Sequence, residues 1–441
     1  MKEKKRGVLG SFAHYVSLNI LSMVGLSCYI LADTAFVANG AGAGGLAALN
    51  LVLPVYFVVS GLGQMLGMGG ATQYAILRGE REAAKGDRVF SETLVMALVL
   101  GLLATVLGVA FADKLAVLLG ADAEIFDMAV TYLRTLMCFA WAFLLNGMLV
   151  CFVRNDEKPN LAMAAMLLGS LSNIVFDYVL IFPAGLGIFG AALATGASPI
   201  ISMAVLSTHK IRGQNHFHWV ACRPELHVLR QIFGIGLPSF INEVASGVTL
   251  VFFNFSMLSL AGNLGVAAYG VVANLALIGV AIYMGIAQGI QPIVSLSYGA
   301  GDLRDIWRIY RCGVILAVAI GVLIYGLCFF WAEPIADIFN SAGDPVLRAM
   351  AAHGLRVYFL AFIYMGVNIV TAAFFASVAK ALPSFLLSVL RGMVAVVAFV
   401  LILPRIFGTD GVWVSVPCAE LVTLAVAIAL VLRISFKKVD F

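Results

Sequence analysis

The chain has 441 residues, 62% of them hydrophobic and only 11% charged, with a formal net charge of +4 and a mean hydropathy of +1.03. A soluble domain is about half apolar and about a quarter charged, so this composition excludes a soluble enzyme: the apolar surplus must face lipid. The small positive charge lies in loops as a topology signal and forms no nucleic-acid patch.

Twelve apolar blocks follow one another along the chain, at 11–38, 47–74, 89–112, 125–152, 160–182, 188–209, 230–260, 268–298, 307–331, 346–379, 384–403 and 411–434. Each is near or above the roughly 20 residues needed to cross a hydrocarbon core of about 30 Å. The first is too long for a signal-peptide core and no small-residue cleavage site follows it, so it is expected to stay in the mature protein.

Lysine and arginine set the expected orientation. With the N-terminus inside, Lys2, Lys4, Lys5 and Arg6, then Arg78, Arg81, Lys85 and Arg88, then Arg154 and Lys158 fall in the cytoplasm. Lys210, Arg212, Arg223, Arg230, Arg304, Arg308, Arg311, Lys380, Arg433, Lys437 and Lys438 join them, against only Lys114, Arg348 and Arg405 outside. Both termini are therefore expected in the cytoplasm of a cell whose inner membrane the chain crosses. The seven cysteines are scattered, as with Cys28, Cys138 and Cys328 inside spans, and form no C-x-x-C pair; apolar packing accounts for them.

A shift of 224 residues aligns spans 1–2 with spans 7–8. Asn39 meets Asn263, Ala43 meets Ala267, Asn50 meets Asn274, Leu51 meets Leu275 and Leu53 meets Leu277. Gly61 then meets Gly285, Gln64 meets Gln288, Tyr74 meets Tyr298 and Pro159 meets Pro383. A nearby offset pairs Leu133-Arg134 and Asn146 with Leu355-Arg356 and Asn368. The expected fold is all-α: twelve transmembrane helices in two six-helix lobes, 1–209 and 230–441, related by a parallel pseudo-twofold repeat around a central cleft. A cytoplasmic linker, 210–229, carries His216, His218, His227 and Pro224 and is expected to be solvated, since its histidines match no metal spacing. Without a G-x-x-x-x-G-K-[ST] loop the chain does not hydrolyse nucleotide by that route, and uphill transport must draw on an ion gradient or a partner.

Carboxylates inside spans are costly and need a reason. Asp33 stands one turn after Tyr29 in the first span, Asn173 and Asp177 share a face of the fifth, and Thr195 lies in the sixth. If these spans are neighbours, the side chains form an all-oxygen pocket for a proton or a hard cation such as sodium; a structural hydrogen-bond network is the alternative. The repeat places Met257, Val394, Ala398 and Val416 at the equivalent positions, so the ion pocket is expected in the first half alone. Glu243, just after Pro238, either serves a cationic substrate or a proton or is paired locally with Asn242 or Asn19. Gln64, Gln288, Gln291 and Tyr298 line the cleft or glue helices together. Phe252, Phe253 and Met257 offer an adaptable binding wall or face lipid and core. Arg134 and Arg356 read as matched anchors, whereas Arg391 and Glu420 receive no role.

The stretch Asp33-Thr34-Ala35-Phe36-Val37, with Gly61 and Gln64, Gly285, Gln288-Gly289-Ile290-Gln291-Pro292 and Ser297-Tyr298-Gly299-Ala300-Gly301, resembles the multidrug and toxic compound extrusion (MATE) transporters. Tyr132-Leu133-Arg134 and Gly236-Leu237-Pro238 fit as well, and the likeness runs through essentially the whole chain. The resemblance implies two lobes around a V-shaped cleft and a secondary active transporter, no enzyme, that exports small amphipathic, often cationic compounds against sodium or protons. It implies no cofactor besides the coupling ion, a monomer in the bilayer, and an N-lobe cation site of Tyr29, Asp33, Asn173, Asp177 and Thr195. The first helix departs from the family pattern in lacking a proline, His14 standing opposite Pro238, so the family's bending of this helix is not carried over unless Gly25 serves as the hinge. Asn368 stands where relatives with a C-lobe sodium site carry an acid, so no such site is carried over. The rival reading is a flippase for a lipid-linked or large amphipathic substrate, which would need a basic cavity that the few buried Lys and Arg do not supply. A membrane-embedded protease would show H-E-x-x-H or G-x-G-D, and neither is present.

Overall fold

A computed structural model describes residues 7–340 and 343–434, with the side chain of Ala43 left out. Lys2, Lys4, Lys5, Arg6, Lys437 and Lys438, which the orientation argument used, lie outside the described residues, as does the Ala43 side chain of the repeat.

The described residues are helical almost throughout, because a backbone in hydrocarbon must satisfy its own N–H and C=O groups. In chain order the long helices are α1 (Val8–Gly40), α2 (Gly42–Gly79), α3 (Ala83–Ala110) and a broken α4 (Phe126–Cys138 and Ala140–Asn155). Then come α5 (Pro159–Ile181), α6 (Gly187–Ile211) and one continuous helical stretch, Leu226–Gly299. That stretch is 74 residues long and turns at Gly262, whose φ of 62° and ψ of −152° are not helical; its halves are α7 (226–261) and α8 (263–299). The chain ends with α9 (Leu303–Phe330), α10 (Pro345–Ser377), α11 (Ala381–Phe407) and α12 (Thr409–Leu432). Ten helices are long and apolar enough to span a membrane, α4 becomes another across its 48° bend, and Leu226–Gly299 contains two. The described residues thus supply the twelve spans expected.

Two compact units divide the chain, one of Met1–Ile20, Ala245–Val294 and Asp302–Phe441, the other of Leu21–Val244 and Ser295–Gly301. Three of the four cuts fall inside α1, α7 and α8, the fourth falls between α8 and α9, and none falls in the polar linker. In the second unit α2 packs along α4, and α5 along α6. Gly63 and Gly147 mark the α2–α4 crossing: a Cβ on Gly63 would meet Phe143 O at 3.0 Å, and one on Gly147 would meet the Gly63 carbonyl carbon at 3.0 Å. Small residues let helix backbones approach where lipid offers no hydrophobic drive. In the first unit α9 packs on α10, and α11 on α12.

Lipid faces are legible in exposure. On α3, Val99, Leu102, Leu103, Val106 and Leu107 are all exposed, an apolar stripe that water would not tolerate at this size. Its repeat mate α9 does the same with Ile315, Val322 and Leu323. The matched arginines serve matched ends: Arg134 donates to Asp113 at 2.7 Å, and Arg356 to Glu333 at 3.2 Å. Both acids sit on short helices (Ala112–Leu118 and Ala332–Phe339) that follow α3 and α9.

The linker is tied down and is not simply solvated. Asp156, after α4, accepts from Tyr74 Oη at 2.7 Å, Arg78 Nη1 at 3.1 Å and the His216 backbone N–H at 2.8 Å. It also meets His209 Nε2 at 2.7 Å and His216 Nδ1 at 3.0 Å. Further along, Asp87 accepts from His218 N, Ser91 Oγ from Val220 N and Glu92 from Glu225 N. Among the described residues no group of three His, Cys, Asp or Glu is arranged to hold a metal.

Candidate functional site

Helices α1, α5 and α6 of the second unit bring together Asp33, Asp177, Asn173, Thr195 and Tyr29. The i, i+4 spacing puts Asn173 and Asp177 on one face of α5, and both are fully buried. Asp33 is 8% and Thr195 5% exposed. The Asp33 and Asp177 carboxyls lie within hydrogen-bonding reach of each other. With its amide turned to satisfy both ends, Asn173 donates to Asp177 Oδ2 at 3.0 Å and accepts from the Thr195 backbone N–H at 3.2 Å. Oδ1 of Asp33 and Oδ1 of Asp177 are buried and receive no donor.

Those two oxygens decide what the site can do. Buried acceptors without a donor are costly, and two adjacent carboxylates in a low dielectric do not both stay bare. A proton shared between them, or a cation held by both, resolves both problems.

Two tyrosines complete the site, and sequence reasoning assigned them no part in it. Tyr56 of α2 shares a 3.0 Å hydroxyl–hydroxyl hydrogen bond with Tyr29, and Tyr132 of α4 lies beside Thr195 and both carboxyls. The available signal was weak: each is one polar-tipped ring in a long apolar block. Tyr56 also neighbours Glu243, whose Cβ lies 3.2 Å from where a Cβ on Gly61 would sit. Glycine at 61 thus lets α7 carry its acid close against α2, and Tyr56 stands between Glu243 and the Tyr29–Asp33 side of the pocket.

The remaining candidates are scattered. Gln64 and Tyr298 are half-buried in the second unit, Gln64 lying 3.9 Å from Cys151 Sγ. Gln288 and Gln291 are buried in the first unit. Phe253 and Met257 are fully buried there, Phe253 stacking on Tyr269 with ring centroids 5.0 Å apart.

A sequence model of the MatE family matches residues 19–179 and 238–402. The multidrug export protein MepA of Staphylococcus saprophyticus is 25% identical over 388 residues, 88% of this chain and 85% of its own. MepA of Staphylococcus aureus is 26% identical over 381 residues, 85% and 82% of the two chains. Among solved structures, a MATE protein in complex with MaL6 superposes with a TM-score of 0.91 at 24% identity, covering 97% of this chain and 96% of that one. A MOP superfamily transporter from Pyrococcus furiosus, for which reverse polarity of the binding pocket suggests a different function, gives 0.89 at 24% identity over 97% and 98%. These structures carry the fold.

Proposed function

The chain belongs to the MatE family, and from that premise we propose that it is a cation-coupled antiporter that exports small amphipathic compounds by alternating access. MATE multidrug efflux is the activity of this family, a secondary transport and no enzymatic reaction. The observation that supports ion coupling is the pair of donor-free oxygens on Asp33 and Asp177, buried and within reach of each other.

Sodium or a proton enters as substrate of the cycle and cancels one of the two charges of that pair. Asp33 and Asp177 hold the ion, Asn173 positions Asp177 through its amide N–H, Thr195 presents its hydroxyl, and Tyr29, Tyr56 and Tyr132 orient the wall. Loading removes the repulsion between the carboxylates and so favours whichever conformation brings them together. A ligand shifts an equilibrium only by its differential affinity for the two states, and here that difference is the charge of the pocket. Glu243 stands one tyrosine away and supplies the negative charge that draws a cationic substrate, with Gln64, Gln288, Gln291, Tyr298, Phe253 and Met257 on the substrate path. The bodies that move are the two six-helix lobes, 1–209 and 230–441, in the inner membrane with both termini in the cytoplasm.

Counterflow of a fluorescent lipophilic cation from proteoliposomes, with sodium and pH gradients applied separately, tests the proposal. Extrusion driven by one gradient and lost in Asp33→Asn is expected. A folded protein that still binds the dye but ignores both gradients would overturn ion coupling.

A further inference from the structure

The first unit has no counterpart of the Asp33–Asp177 pair, its equivalent positions being Met257 and Ala398. Among the described residues it does bury one carboxylate, Glu420 of α12, at 2% exposure. Arg391 of α11 donates to Glu420 Oε1 through Nε at 3.1 Å and Nη2 at 2.9 Å. Asn368 of α10 donates through Nδ2 to Oε2 at 2.7 Å and to the Glu420 carbonyl at 2.8 Å. Asn368 Oδ1 is buried without a donor.

A carboxylate that accepts from an asparagine amide is the combination that Asp177 and Asn173 present in the other unit. There one oxygen of each carboxyl lacks a donor; here a guanidinium binds the Glu420 oxygen that the amide does not. The positions 221 residues before Arg391 and Glu420 are Ser170 and Pro199, each about one helical turn from Asn173 and Thr195. The pair therefore sits on the equivalent helix pair, about one turn along. It is no leftover of the repeat, because Ser170 and Pro199 carry no charge.

Arg391 lies in a π-helical turn, Leu390–Val394, a widened turn that re-aims its side chains and recurs at functional sites. Tyr283 and Tyr364 neighbour Glu420 but donate their hydroxyls elsewhere, to Phe362 O at 2.7 Å and Pro417 O at 3.0 Å. Among the described residues Glu420 has this one ion pair.

We propose that Arg391 is a tethered cation that holds the Glu420 carboxylate in place of a mobile ion, so that the first unit loads no coupling ion and the second unit alone sets the number moved per cycle. The clause about the cycle rests on the antiporter reading above; the tethered cation does not.

Arg391→Gln keeps a hydrogen-bonding side chain and removes the charge. Bound cations are counted on purified protein in an Asp33→Asn background, as radiolabelled sodium by equilibrium dialysis and as protons by titration. Asp33→Asn/Arg391→Gln is expected to bind one cation per chain more than Asp33→Asn, and adding Glu420→Gln should remove it. Equal counts in the first two overturn the proposal. Arg391→Lys, which keeps a cation and guards against a misfolded glutamine variant, should leave the count unchanged; a gain there also overturns it. In proteoliposomes at zero potential, a tenfold ion gradient sustains about a tenfold substrate gradient with one ion per cycle and about a hundredfold with two. The wild type should reach the first ceiling and Arg391→Gln the second; an unchanged ceiling in an active variant refutes the claim about stoichiometry. A wild type indifferent to ion gradients, alongside an extra cation in the arginine variant, would defeat the antiporter reading while sustaining the tethered cation.

Discussion

Asp33 and Asp177 come from helices more than a hundred residues apart in sequence, yet each leaves one buried oxygen without a donor in the same pocket. Asp33→Asn removes the repulsion between the two carboxylates without an ion, so gradient-driven efflux should fall about tenfold or more while the protein still elutes as a folded species. Asp177→Asn should do the same. The double variant should then lose no more than either single one, because residues in one network are non-additive; additive losses in a transport assay would separate the two roles. Asp156 is titratable outside the spans. Desolvation raises its pKa, but hydrogen bonds from His209, the His216 backbone and Tyr74 outweigh that and hold the carboxyl below its ordinary value. A depressed carboxyl contributes stability that is complete above its unfolded pKa of about 3.9 and fades as pH falls through the folded one. Thermal stability of the wild type should therefore drop below about pH 4 more steeply than that of Asp156→Asn. The variant should itself be less stable at neutral pH by about 3 kcal/mol, since its partners lose a buried charged acceptor. Parallel pH profiles would remove Asp156 as the cause.

Helices here obey two different rules. Long apolar runs make them, and a few glycines decide where they turn or touch. Gly262 joins α7 to α8 in one step at a backbone conformation open essentially to glycine alone. Gly262→Ala should cost about 1–3 kcal/mol, read as a lower melting temperature with ion-driven transport kept at permissive temperature. No loss of stability would mean that the turn is relaxed. The sequence suggested a seven-residue gap at this point, between blocks 230–260 and 268–298, because Gly262 and Asn263 break the apolar pattern. The fourth block hid a break of the opposite kind: 125–152 reads as one apolar run, while the helix bends by 48° at Phe139. Hydropathy counts side chains and does not sense backbone direction, so a kink among apolar residues leaves no mark in it.

Across the whole molecule the repeat governs shape and charge differently. The helices recur, as do the lipid stripes of α3 and α9 and the arginine anchors on Asp113 and Glu333. The buried charges do not recur. One unit carries two acids that each leave an oxygen without a donor, the other an acid neutralised by Arg391. The proposed orientation places the linker and the loop before α10 on opposite sides of the membrane. In a variant without the seven native cysteines, His218→Cys should react with an impermeant maleimide only in inverted vesicles, and Arg348→Cys only in right-side-out ones. Labelling of both from one side would overturn that orientation.

Composition and block length alone determined that the chain spans a membrane twelve times, because the cost of exposing backbone in lipid leaves a long apolar run no structure but a helix. The repeat was equally visible, since ordered identities at one offset survive a biased composition. Asp33, Asp177, Asn173, Thr195 and Tyr29 were legible as candidates because polar groups inside apolar spans are conspicuous against their neighbours. Only the tertiary structure decided which of them meet, that Tyr56 and Tyr132 close the pocket, and that Arg391 and Glu420, unassigned from sequence, are partners. A hydrogen bond depends on which helix faces which and at what depth, and neither is written in the local pattern that makes each helix.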